Sequence, residues 1–123
     1  MADRSAVILQ THGIDFPNRM YAPIFYAMTA EAMEVDTKMW YTMNASAQLE
    51  AGMPEQLKVK EDSDTTLRTM LNQATDAGVD ITVCHQSLDL HGLTADDLVE
   101  DADVVGAAQI IDLALDADFM MYF

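Results

Sequence analysis

The chain lacks several features that define large protein classes. It has one cysteine in 123 residues, which excludes an internal disulfide and is typical of a reducing compartment. It has only 6 lysines and arginines against 21 acidic residues, a formal net charge of −15, which argues against nucleic acid because phosphate binding requires clustered basic side chains. It has no long apolar run, since the longest uncharged stretch, Met20–Ala30, is about half of the ~20 residues of a membrane helix.

These absences predict a cytoplasmic protein that binds neither nucleic acid nor membrane. The first residues, Met-Ala-Asp-Arg, do not resemble a signal peptide, and the run Ala6–Leu9 is too short for one. The length predicts one domain over residues 1–123, with enough apolar residues for a core. The acidic surface fits a basic protein partner that is steered electrostatically, and it fits plain solubility or salt adaptation equally well.

Strand-like and helix-like segments alternate along the chain. The predicted strands are Ser5–Thr11, Asp36–Met43, Val79–Val83, Val104–Val105 and Phe119–Phe123. The predicted helices are Arg19–Met33, Asn44–Glu50, Thr65–Ala77, a turn that begins at Cys84, a short helix after Thr94, and Ala107–Leu115. This alternation predicts an α/β chain with a flavodoxin-like three-layer fold and a five-stranded parallel sheet. In the flavodoxin-like order the first and third strands are neighbours, so we expect His12-Gly13 and Cys84-His85 to share one crevice.

The single cysteine, Cys84, ends an apolar, β-branched run and is followed at once by polar residues. Active groups tend to lie at the carboxyl ends of buried strands. If a helical turn begins at Cys84, backbone N–H groups and the helix dipole lower the thiol pKa, and Ser87 takes the second-cysteine place of a Cys-x-x-Cys arrangement. Asp89 and the general acidity act in the opposite direction. A lone cysteine after an apolar strand is more often a small buried hydrophobic residue.

The three histidines are candidate bases or ligands. His85 lies beside the thiol and is the first candidate for a supporting role, and His12 and His91 rank below it. The spacing of Cys84, His85 and His91 does not match common zinc sites, so we predict no metal. The loop at His12 lacks both G-x-G-x-x-G and a Walker lysine, so we predict no cofactor.

Two apolar segments favour a homo-oligomer. The helix that contains Met20–Ala30 has no charge in this stretch, which predicts burial all round, either in the core or partly by another subunit. Met120–Phe123 is an apolar strand that needs covering if it lies at a sheet edge.

The sequence around the cysteine resembles the DsrE/DsrF-like sulfurtransferase family, especially its small stand-alone DsrE members. The resemblance rests on a Cys84-His-Gln-Ser87 run, on Gly92 before an acidic helix, and on the strand, His12-Gly13 and Pro17 loop near the start. Gly106-Ala-Ala and Asp116-Ala-Asp118-Phe119 add to it. It covers nearly the whole chain, although Met53–Asp62 is unremarkable.

The resemblance implies a five-stranded flavodoxin-like fold assembled as trimers or hexamers. It also implies that Cys84 carries sulfur as a persulfide or a thiosulfonate. The implied partners are a TusA-like sulfur carrier and a rhodanese-type sulfurtransferase. The family's active cysteine matches Cys84, and no other position has a firm role to transfer.

The leading hypothesis is a sulfur carrier, or sulfurtransferase, that uses Cys84. His85 is a candidate modulator, Ser87 and nearby N–H groups hold the thiolate, and His12 is a further candidate for support. The alternative is a non-catalytic flavodoxin-like module that binds a small ligand, with Cys84 inert. A structural subunit of a sulfur-relay complex is a third possibility.

Overall fold

A five-stranded sheet lies at the centre of the computed structural model, which describes residues 4–15, 19–60 and 62–123. The strands are β1 Arg4–Gln10, β2 Val35–Tyr41, β3 Asp80–Cys84, β4 Ala102–Val105 and β5 Phe119–Tyr122. The α-helices are α1 Ala22–Ala32, α2 Leu67–Ala77, α3 His85–Leu90 and α4 Ala107–Asp116, and 3-10 helices span Met43–Leu49 and Ala95–Asp97. The predicted alternation of strands and helices is confirmed, while Pro17 of the predicted loop lies outside the described residues.

All neighbouring strands are parallel, in the order β4-β3-β2-β1-β5. The predicted α/β fold with a five-stranded parallel sheet is confirmed. The predicted adjacency of the first and third strands is wrong, because β2 lies between them. The connections from β1 to β2, β2 to β3 and β3 to β4 each add the next strand on the same side of the previous one. The connection from β4 runs back across the sheet to β5, which pairs with the other edge of β1. Right-handed crossovers that run in opposite directions place their helices on opposite faces of the sheet.

One face of the sheet, here named the closed face, is covered by α1, α2 and α3. Alternate strand residues such as Ile8, Met39 and Ile81 lie on this face and are buried against the helices. Ile24 of α1 and Leu71 of α2 are fully buried in the same cluster. Burying one such side chain contributes about 1.5–3 kcal/mol, so this face holds most of the apolar stabilisation.

The pattern of α2 explains how it covers the closed face. Leu67, Leu71 and Ala74 recur at spacings of four and three and are all buried. The helix ends at Ala77, the predicted last residue, and its cap is Gly78, whose φ of 108° is left-handed. The left-handed conformation favours glycine, and a Cβ at Gly78 would also lie in tight contact, 3.1 Å, with a carboxylate oxygen of Glu31.

The opposite face, here named the open face, is covered by α4 alone. Its buried cluster is smaller and consists of Val7, Trp40, Cys84, Val105 and Ile110. Ile110 is the one buried residue of α4. The amino-terminal half of this face is polar, and Lys38 Nζ donates to Asp80 Oδ2 over 2.6 Å there. One helix cannot cover five strands, which leaves part of this face accessible.

Exposed apolar residues occur at the rim of the fold. β5 is an edge strand whose Phe119, Met120 and Tyr122 are exposed. α1 exposes Phe25 and Tyr26, so the predicted burial all round is not achieved within one chain. The longest helices, α1 and α2, have 11 residues, and no helix in the described parts is long and apolar enough to cross a membrane.

Candidate functional site

Cys84 lies where a buried strand turns directly into a helix. It is the last residue of β3 and the N-cap of α3, which begins at His85. The residue is 6% exposed and packs in the open-face cluster with Trp40 and Val105. The prediction that a helical turn begins at Cys84 is confirmed, and the thiol is mostly covered by its neighbours.

At the edge of the sheet where Cys84 lies, the connection after β3 runs to the closed face and the connection after β4 runs to the open face. Leu88 of α3 packs on the closed face, whereas Ile110 of α4 packs on the open face. Cys84 pairs in register with Val105, the last residue of β4. Adjacent parallel strands whose connections diverge leave a crevice between their carboxyl ends. The switch point is therefore between β3 and β4, and Cys84 lies at it although the predicted strand order is wrong.

Four hydrogen-bond donors favour the ionised form of the Cys84 thiol. Burial by itself raises the pKa of Cys84, but the hydroxyl and N–H of Ser87, the hydroxyl of Thr42 and the N–H of Gln86 outweigh it. The pKa of the thiol therefore lies below its ordinary value. The two N–H groups belong to the first turn of α3, where backbone donors have no partner within the helix. At neutral pH the site holds more thiolate than an unperturbed cysteine does.

The two hydroxyl groups beside the sulfur tie α3 to the end of β2. Ser87 is buried, and its Oγ lies 3.0 Å from Oγ1 of Thr42, the residue that follows β2. Ser87 Oγ also accepts a 2.7 Å hydrogen bond from the N–H of Met43. Thr42 N–H in turn donates to the main-chain oxygen of Gln10 over 3.0 Å. These bonds hold the carboxyl ends of β1, β2 and β3 together.

Met43 has an unusual backbone conformation next to the site. Its φ is 53°, a left-handed value that costs a residue with a Cβ about 1–2 kcal/mol. Its carbonyl oxygen accepts hydrogen bonds from Ser46 Oγ over 2.7 Å and from His91 Nε2 over 3.0 Å. No sequence pattern indicated Thr42 and Met43 as site residues, because their contacts with α3 cross 44 to 48 residues.

His85 is exposed at the start of α3, next to the thiol in the chain. It lines a cavity of about 170 Å³ with Leu88, Asp89, Leu93, Thr94, Ala95 and Val104. Its supporting role stays a prediction. In residues 4–15, 19–60 and 62–123, no three or more His, Cys, Asp or Glu side chains are grouped so that they could hold a metal ion.

His12 follows β1 and is separated from Cys84 by the end of β2. Its Nδ1 lies 3.1 Å from Asp15 Oδ2, and Asp15 Oδ1 accepts a 2.9 Å hydrogen bond from the N–H of Gly13. Asn44 donates to Asp15 over 3.1 Å. Hydrogen bonds from Gly13, His12 and Asn44, in that order of size, lower the pKa of Asp15 to about 2. His12 is thus built into the loop after β1, and its supporting role in catalysis also stays a prediction.

The arrangement places a mostly buried thiol, whose pKa lies below its ordinary value, at the edge where the connections after β3 and β4 diverge. A thiolate of this kind attacks soft electrophiles such as divalent sulfur. Because the chain has no second cysteine, the product of such an attack cannot be resolved as an internal disulfide.

Comparison with protein-family models gives a match to the DsrE/DsrF-like family over residues 4–123. No curated protein matches the chain. Solved structures do match, among them the YchN protein of E. coli, with a TM-score of 0.79 and 15% identity over 100% of both chains.

A protein of unknown function from Methanobacterium thermoautotrophicum, MTH1491, matches with a TM-score of 0.74 and 18% identity, over 97% of this chain and 99% of that one. The conserved protein BT1422 of Bacteroides thetaiotaomicron, also of unknown function, has a TM-score of 0.63 and 12% identity, over 98% and 96%. At these identities the likeness shows the fold.

Proposed function

The chain belongs to the DsrE/DsrF-like family, and on that premise we propose that it is a sulfurtransferase that carries sulfane sulfur on Cys84 and passes it to a partner thiol. Family membership supports a general role in sulfur relay. The observation that carries the finer proposal is the setting of Cys84, at the diverging ends of β3 and β4 and among donors that favour the thiolate.

The proposed transfer needs one thiolate and no redox cofactor. The Cys84 thiolate attacks the outer sulfur of a donor persulfide, the new Cys84–sulfur bond forms, and the donor's S–S bond breaks to release a thiolate. An acceptor thiolate then attacks the carried sulfur, and Cys84 leaves as a thiolate. With a polythionate donor, attack on an inner sulfur releases thiosulfate and leaves an S₂O₃ group on Cys84. Ser87, Thr42 and the α3 N–H groups stabilise the thiolate before loading and after release.

Intact mass spectrometry of the native protein tests this proposal. The protein is incubated with a persulfide donor and, separately, with tetrathionate, and Cys84→Ser is the matched control. We expect an adduct of one sulfur atom or one S₂O₃ group that reductant removes and that the control lacks. An adduct that persists on Cys84→Ser, or a thiol that reacts only after unfolding, would overturn the proposal.

We also infer a homo-oligomer, a trimer or a hexamer, in a reducing compartment such as the cytoplasm. Support comes from apolar side chains at the rim of the open face, where Leu115 of α4 is 79% exposed and Tyr122 of β5 is 73% exposed. Light scattering after gel filtration should give three or six times the 13.6 kDa chain mass. A particle of one chain mass would contradict the inference.

The proposed partners are a TusA-like carrier or a rhodanese-type sulfurtransferase. The net charge of −15 supports a partner with a basic surface around its own thiol. Such binding should weaken steeply as salt is added, since charge pairs at a protein surface are screened. Binding that is independent of salt would argue against this kind of partner.

A second candidate function, a non-catalytic module that binds a small ligand, has its own support. Cys84 is 6% exposed, and a cavity of about 470 Å³, within the usual size of ligand sites, lies between the open face and α4. Its lining residues are Lys38, Asp80, Thr82, Asp103, Val104, Val105, Gln109 and Leu113. An alkylation rate at neutral pH that rises only on denaturation would favour this function.

A further inference from the structure

The backbone of Met43 is held at both of its polar groups, by Ser87 of α3 and by His91, the residue that caps the end of α3. Its N–H donates to Ser87 Oγ over 2.7 Å, and its carbonyl oxygen lies 3.0 Å from His91 Nε2. Ser87 and His91 are four residues apart, so they lie on the same side of the helical turn. The side chains of Ser87 and His91 therefore bind the backbone of Met43 from the same side.

The chemistry of the groups decides which atom donates in each contact. A carbonyl oxygen only accepts, so Nε2 of His91 carries the hydrogen. The Met43 N–H only donates, so it occupies a lone pair of Ser87 Oγ and leaves the Ser87 hydroxyl hydrogen free to point elsewhere. Thr42 Oγ1, at 3.0 Å, and the Cys84 sulfur are the acceptors beside it.

The left-handed conformation of Met43 needs support from outside its own turn. Ser46 Oγ also donates to the Met43 carbonyl, over 2.7 Å, but Ser46 belongs to the same 3-10 helix as Met43. His91 follows α3 as its C-cap and connects Met43 to the helix that begins at the thiol. Conformations of this kind persist near functional sites when surrounding contacts hold them.

We propose that His91 is a positioning residue for the sulfur-carrying thiol, which it influences by holding Met43 so that the Met43 N–H orients the Ser87 hydroxyl. The inference rests on the proposed function, since it assigns a role in tuning the same cysteine. It gives the His91 side chain, rather than that of His85, the connection to Cys84. His91 touches neither the sulfur nor the cargo.

The rate of Cys84 alkylation by iodoacetamide, measured on the native chain from about pH 5 to about pH 10, tests the role of His91. His91→Ala should lower the rate at neutral pH about threefold, the worth of one hydrogen bond, and should move the inflexion to higher pH. His91→Gln keeps an N–H donor at a similar reach and should restore both. Leu90→Ala, an exposed change at the adjacent position, is the matched control and should leave the curve unchanged.

The other ionisable groups on the elements around the thiol are the same in all of these variants. They include His85 and Asp89 on α3, Asp80 on β3, Asp36, Lys38 and Tyr41 on β2, Asp103 on β4, and His12 and Asp15 after β1. Differences between the curves therefore report the change at position 91. An unchanged curve for His91→Ala, or a failure of His91→Gln to restore the rate, would overturn the role of His91.

The two proposals fail in different ways. If the native protein takes no sulfur from either donor while the alkylation curve still depends on His91, the proposed function fails and the positioning contact stands. If sulfur loads on Cys84 and the His91→Ala curve matches that of the unchanged protein, only the positioning role fails.

Discussion

The two faces of the sheet differ in how completely they are covered. The closed face has three α-helices and a cluster of fully buried side chains that includes Ile8, Ile24 and Leu71. The open face has one helix, a small cluster around Trp40, and a polar amino-terminal half. Cys84 belongs to the open-face cluster but lies at the edge where the connections diverge. The comparison shows that the closed face holds most of the buried apolar side chains, while on the proposed function the open face carries the reactive thiol.

The largest expected effect is on the free energy of unfolding, which should fall for a substitution on the closed face and stay nearly unchanged for one on the open face. Leu71→Ala removes a fully buried side chain on the closed face and should lower the free energy of unfolding by about 3 kcal/mol. Leu115→Ala on α4 is the matched change and should alter it by less than about 0.5 kcal/mol at protein concentrations where the chain is monomeric. Urea denaturation measures the free energy of unfolding of both variants. Similar decreases for the two would contradict the difference between the two faces.

A smaller effect should appear in reactivity at the edge of the sheet. Thr42→Val removes a hydroxyl that favours the thiolate, so the pKa of Cys84 should rise and alkylation at neutral pH should slow by roughly 3- to 10-fold. Thr42→Ser keeps the hydroxyl and should react at nearly the original rate. Equal rates for the Val and Ser variants would show that Thr42 has no part in tuning the thiol.

The smallest effect should come from Asp15, which lies at the same edge but serves the loop after β1. Its pKa of about 2 is below the unfolded value near 4, so the ionised carboxylate stabilises the fold above about pH 4. That contribution decreases as the pH falls toward 2. The side chain is 38% exposed, so solvent screening keeps the effect well under about 1 kcal/mol.

Comparison of the stability–pH curves of Asp15→Asn and the unchanged protein isolates this term from the other carboxylates. The two curves should converge toward about pH 2, and the alkylation rate of Cys84 should be the same in both proteins. A constant gap at all pH values would contradict the assignment, because a purely steric effect of the substitution does not titrate.

Several local features were predictable because they depend on near neighbours in the chain. The predicted end of α2 at Ala77 is confirmed, since helix periodicity and the left-handed cap at Gly78 are properties of short segments. The short helix predicted after Thr94 is a 3-10 helix over Ala95–Asp97, with a capping box between Thr94 and Asp97. The segment predicted as a helix over Asn44–Glu50 is a 3-10 helix over Met43–Leu49, a difference that depends on contacts made beyond the segment.

The sequence by itself determined the alternation of strands and helices, the parallel sheet and the position of Cys84 at the end of a strand. These follow from residue periodicity and from turn and cap chemistry. Only the tertiary structure decided the strand order, the location of the switch point between β3 and β4, and the contacts of Thr42 and Met43 with Ser87 and of His91 with Met43. The physical reason is that the connection between two parallel strands has the same local sequence preferences whether the next strand is added on the left or on the right of the sheet. Contacts between residues more than 40 positions apart depend on which side is chosen.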